Sequence, residues 1–88
     1  MTLDEIKDYL VGLGMEDAVV LENPDYAEAF IGVSDEDRAV YDHRLMVKFL
    51  MDKEGMTEDQ ALDFIDYNTI RALPYMGEHR PIIFLEAF

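Results

Sequence analysis

Tyr26-Ala27-Glu28-Ala29-Phe30-Ile31-Gly32-Val33-Ser34-Asp35-Glu36-Asp37-Arg38-Ala39-Val40-Tyr41-Asp42 is the stretch on which the fold turns. Short β-branched and aromatic runs alternate here with turn formers, a period-two signal that contrasts with helical spacing on either side. The pattern predicts a strand from about Tyr26 to Val33, with Ala27, Ala29, Ile31 and Val33 on one face, and another from Arg38 to Tyr41. Ser34-Asp35-Glu36-Asp37 joins them as a polar hairpin loop, because clustered acids sit badly inside strands and well at an exposed tip. Just upstream, Ala18 to Glu22 predicts a further strand, ended by the turn signal Asn23-Pro24-Asp25.

Helical signals flank this region. Thr2 with Glu5 forms a capping box, Met1 can staple against Ile6, and Leu3, Ile6, Tyr9, Leu10 and Leu13 share a stripe that exits at Gly12 and Gly14. Asp42 caps a second helix that buries Leu45, Met46, Phe49 and Leu50, keeps Lys48 and Lys53 outside, and stops at Gly55. Thr57 with Gln60 is another capping box, opening a helix from Glu58 to about Leu73. That helix buries Leu62, Ile65, Thr69 and Ala72, or their neighbours Ala61, Phe64 and Ile70, and Pro74 ends it. Pro81-Ile82-Ile83-Phe84-Leu85 is apolar on both faces, which predicts a strand within the sheet instead of at its edge. The order αβββααβ defines a small single-domain α+β fold, with a mostly antiparallel sheet and helices packed on one face.

Composition narrows the function. Of 88 residues, 50% are hydrophobic, enough for one folded domain, while 20 acids against 7 bases leave a net charge of -13. Such a charge disfavours direct contact with nucleic acid or an anionic membrane. Without cysteine there is no disulfide, thiolate site or thiol nucleophile, and Met1-Thr2-Leu3-Asp4-Glu5 lacks the features of a secretion signal. No apolar run approaches the roughly 18 residues of a bilayer span, so the expected setting is cytoplasmic. Six methionines are present, and those at Met46 and Met51 fall in a helix that needs core residues, where gap-filling is the expected role.

Asp66-Tyr67-Asn68-Thr69-Ile70-Arg71-Ala72-Leu73-Pro74-Tyr75-Met76-Gly77, preceded by Gly55-Met56-Thr57-Glu58, resembles small uncharacterised bacterial and phage-associated proteins with no assigned activity. The resemblance runs from about Val33 to the C terminus. It implies a context in which mobile elements encode short acidic proteins that bind and block host defence nucleases, in the manner of anti-CRISPR proteins.

Catalytic constellations are sparse. His43, in the first turn of the second helix, and His79, in a loop, are the whole histidine supply, and no nucleophile elbow, phosphate loop or zinc spacing occurs. Asp35-Glu36-Asp37 offers hard oxygen ligands, yet the sixth loop position of an EF-hand needs glycine and is Val40 here. No cofactor or metal is therefore expected, and the protein reads as non-enzymatic. Tyr67-Asn68-Thr69 are mediocre helix formers placed inside a helix, so Asn68, Arg71 and Tyr75 form either a recognition patch or a structural tether.

Charge is the strongest signal. Residues 1–42 hold twelve acids and two bases, net -10, whereas residues 43–88 hold eight and five, net -3. Asp4 with Asp8, and Asp59, Asp63 and Asp66, recur at helical spacings that put like charges roughly 5–6 Å apart. Carboxylates so spaced resemble phosphates along a nucleic-acid strand and suit a basic groove. The leading expectation is an inhibitor or decoy, a nucleic-acid mimic that binds a basic nucleic-acid-handling or defence protein. Glu22, Asp25, Glu28, Asp35, Glu36 and Asp37 are its contact acids, with Tyr26 and Tyr41 as aromatic anchors. The alternative is a structural or regulatory interaction module, homodimeric or joined to an assembly, that binds through apolar surface near Tyr75-Met76 or Phe84-Leu85-Glu86-Ala87-Phe88.

Overall fold

The computed structural model of the chain describes residues 1–85. It is an α+β domain of three α-helices and a three-stranded mixed sheet. In chain order these are α1 (Leu3–Gly12), β1 (Phe30–Val33), β2 (Ala39–Asp42), α2 (His43–Glu54), α3 (Glu58–Asn68) and β3 (Ile82–Phe84), with 3-10 turns at Ala27–Ala29 and Ile70–Tyr75. Of the expected C-terminal apolar surface, residues 86–88 lie outside the described residues.

The helix ends follow their local chemistry. Thr2 accepts from the Glu5 backbone while Glu5 accepts from the Thr2 amide at 2.8 Å, and Thr57 with Gln60 repeats the arrangement at α3. Asp42 caps α2 by accepting from the Leu45 amide at 3.0 Å. At the other end Gly55 has φ 69°, a left-handed conformation that glycine adopts without the clash a Cβ would bring, and the Met56 amide turns back to the Leu50 carbonyl.

The sheet order is β1-β2-β3, with β1 and β2 antiparallel and β2 and β3 parallel. Phe30 faces Tyr41 and Gly32 faces Val40, so Ile31 is the extra residue of a β-bulge. Gly32 takes φ 148° there, a conformation side chains rarely adopt. Ala39 and Tyr41 point inward, where they join Met46 and Leu50 of α2 and Ala61 and Ile65 of α3 in the main core. Ile6 and Leu10 of α1 pack with Met15 and Ala27 in a second cluster, and Phe30 packs against both. Its ring meets Tyr9 at 6.2 Å and Tyr41 at 5.8 Å, both edge-on, so one side chain joins the two clusters.

Several expected boundaries shift. Ala18–Glu22 forms no ladder: Val19 donates to the His79 carbonyl at 3.0 Å and Leu21 donates to the Tyr41 hydroxyl at 3.1 Å, so the segment is pinned by single bonds to a loop and a side chain. The expected Tyr26–Val33 strand begins only at Phe30, because Tyr26 sits at φ 46° and the next three residues coil into a 3-10 turn. Helix α3 stops at Asn68, whose side chain bonds back to the Phe64 carbonyl at 3.1 Å, and Pro74 is accommodated in the 3-10 turn that follows. β3 lies at an edge, not within the sheet. Its two apolar faces arise because Ile83 packs on the core, while Ile82 and Phe84 stand on the outer face with Val40 and Asp42. Leu45 and Met51 turn outward on α2, leaving Met46 and Leu50 as its buried residues.

Candidate partner-binding surface

The hairpin tip is built from the backbone outward. Ser34 donates its amide to the Arg38 carbonyl at 2.8 Å, and its hydroxyl accepts from the Glu36 amide at 3.2 Å. Arg38 then anchors the tip, giving one guanidinium nitrogen to the Arg80 carbonyl at 2.7 Å and another to Glu36 at 3.1 Å. Glu36 is thereby neutralised, whereas Asp35 and Asp37 project with no cationic partner among the described residues.

The remaining expected contact acids are not all gathered with the tip. Glu22 pairs with Lys7 at 2.7 Å, and Asp25 is occupied in accepting from the Ala27 amide at 2.9 Å. These two carboxylates lie close enough to the Tyr41 hydroxyl to help raise its pKa, after the larger effect of burial. Glu28 borders a depression with Lys48 and Asp52 of α2. It precedes β1, while the tip follows it, and a four-residue strand spans roughly 13 Å. The expected aromatic anchors need correction. Tyr26 and Tyr41 are 1% and 0% exposed, because both rings fill the main core, so neither presents an aromatic face to a partner.

Helix α3 carries the expected acidic row. Asp59, Asp63 and Asp66 are all exposed. Asp66 pairs with Arg71 at 3.5 Å, and Arg71 also lies 5.1 Å from the Tyr67 ring centre, so with Asn68 this group is tied into local contacts. Asp59 and Asp63 have no cationic partner among the described residues.

A feature the sequence reading missed lies between the Val19–Pro24 segment and the end of α3. It is a cleft of about 270 Å³, with Leu21, Tyr26 and Thr69 as the buried members of its lining and Glu22, Asn68 and Met76 towards the outside. The Tyr26 hydroxyl is buried with no hydrogen-bond partner among the described residues, although the Thr69 hydroxyl is near enough to moderate the rise that burial imposes on its pKa. Leaving such a group unpaired costs about 1–3 kcal/mol. The odd Tyr67-Asn68-Thr69 run was the available signal, since its Asn68 and Thr69 line the cleft.

No group of three His, Asp or Glu side chains among the described residues is placed to hold a metal ion. No helix among them is long and apolar enough to cross a membrane. No protein-family model, curated protein or solved structure matches this chain.

Proposed function

We propose that this chain is a non-enzymatic acidic binding module that occupies a basic surface of another protein, acting as an inhibitor or decoy. The observation that carries the reading is that Asp35, Asp37, Asp59 and Asp63 stand exposed and without cationic partners among the described residues, the first two on a braced hairpin and the others on a capped helix. Like charges held side by side work against stability, and a basic partner turns that cost into attraction. A nucleic-acid-handling or defence protein is the proposed partner class, from the phosphate-like spacing of the acids and the resemblance at residues 66–77. Capture from a bacterial lysate on the immobilised protein, at low and high salt, tests it. A basic protein retained only at low salt, and lost when Asp35→Lys, Glu36→Lys and Asp37→Lys are combined in one folded variant, is the expected result. Retention that ignores both salt and charge reversal would sink the reading.

A second reading has its own observation. Phe84 is 47% exposed on the outer face of the sheet beside Ile82 and Val40, and Tyr75 is 89% exposed. An interaction module or homodimer joined through that apolar surface binds more tightly, not less, as salt rises.

A further inference from the structure

The cleft beside Tyr26 is too small for most free ligands and suited to a single side chain. Small-molecule sites commonly enclose roughly 300–1,000 Å³, and this one holds about 270 Å³. Its chemistry is mixed in a specific way. Leu21, Pro24 and Met76 offer apolar walls, and the buried Tyr26 hydroxyl lies behind them near Thr69. Asn68 gives one of its two side-chain amide hydrogens to the Phe64 carbonyl, and its own side-chain oxygen remains an acceptor. Glu22 stands at the mouth, and its pair with Lys7 is between two side chains that are each about half exposed, so an incoming cation can displace Lys7.

We propose that this cleft receives an arginine side chain of the basic partner. The proposal rests on the reading of the protein as a module for a basic partner and names the contact that gives it specificity. Arginine fits better than lysine for two reasons. Its planar head carries five donors and can meet several separated oxygens at once, and it is less strongly hydrated, so entering a half-apolar cleft costs it less. Its methylenes lie along apolar wall while the head reaches the acceptors.

The test uses N-acetylarginine amide as the probe, with the neutral isostere N-acetylcitrulline amide beside it. Both are titrated into the full chain while methionine methyl and tyrosine ring resonances are followed by NMR. Saturable shifts at Met76 and Tyr26 are expected with arginine, with Met51 on the outer side of α2 unmoved. Citrulline should leave the cleft signals in place. Glu22→Gln keeps the shape of the mouth and removes its charge, and should weaken arginine binding about tenfold. The Asp35→Lys, Glu36→Lys, Asp37→Lys variant should bind the probe as before. Equal binding of citrulline, shifts that spare Met76, or undiminished affinity in a folded Glu22→Gln variant overturns the proposal. If the arginine probe fails while a basic partner is still captured only at low salt, the cleft falls and the acidic-module reading stands. If the probe binds the cleft but no basic partner is captured, that reading falls and the cleft stands.

Discussion

Tyr26 and Tyr41 are equally buried, yet their hydroxyls stand in opposite circumstances. The Tyr41 oxygen accepts from the buried Leu21 amide, so Tyr41→Phe strands that amide and should cost about 1–3 kcal/mol in denaturant unfolding. The Tyr26 hydroxyl has no such partner among the described residues, so Tyr26→Phe should be neutral or stabilising in the same measurement. Desolvation raises both phenols above their ordinary value of 10.0, a rise that the Leu21 amide moderates at Tyr41 and Thr69 moderates at Tyr26. The folded state therefore keeps protons that the unfolded chain releases. The stability this provides is fully present below pH 10 and is lost as pH rises through the higher folded-state values. Alkaline denaturation followed by circular dichroism should accordingly show a loss of stability above pH 10 that flattens when both tyrosines are phenylalanine. Neither tyrosine was legible as a core residue in the sequence. A period-two run shows which residues share a face but not which face is covered, and a tyrosine serves a core or an interface equally well.

The starts of all three helices and the end of α2 were legible because caps are chemistry of three or four adjacent residues, whereas the end of α3, expected near Leu73, falls at Asn68. The boxes at Thr2 and Thr57, the Asp42 cap and the Gly55 exit all stand where the sequence placed them. Thr57→Ala should cost about 0.5–2 kcal/mol, read as a lower denaturation midpoint, and Gly55→Ala about 1 kcal/mol from its left-handed backbone. What was not legible depended on partners distant in sequence. The Ala18–Glu22 run has the residues of a strand, but the bonds it makes go to a loop carbonyl and a tyrosine hydroxyl, and that arrangement opens the cleft. The same limit applied to β3, whose two-faced apolarity resembles a central strand although only Ile83 packs on the main core.

For the whole molecule, a net charge of -13 on 88 residues makes salt act in opposite senses on folding and on the proposed binding. Added salt screens self-repulsion, so the melting temperature should rise between low and physiological ionic strength, measured by calorimetry. Affinity for a basic partner should fall over the same range. The acids and their imbalance were plain in the sequence, but their arrangement was not, since counting charges says nothing about Arg38 folding back on Glu36 or Lys7 reaching Glu22. The parallel pairing of β2 with β3 carries a kinetic consequence. Phe30 and Tyr41 meet across 11 positions of chain, whereas Val40 and Ile82 meet across 42, and closing the longer loop costs about 1 kcal/mol more. The local hairpin gains its bonds cheaply and the distant strand does not, so the docking of β3 is more exposed to delay than the closing of the hairpin. Until it docks, β2 presents a bare row of amides and carbonyls to any neighbouring strand. The strong like-charge repulsion between copies of the chain then serves a further end: it keeps half-folded molecules apart during the interval in which they could pair with one another.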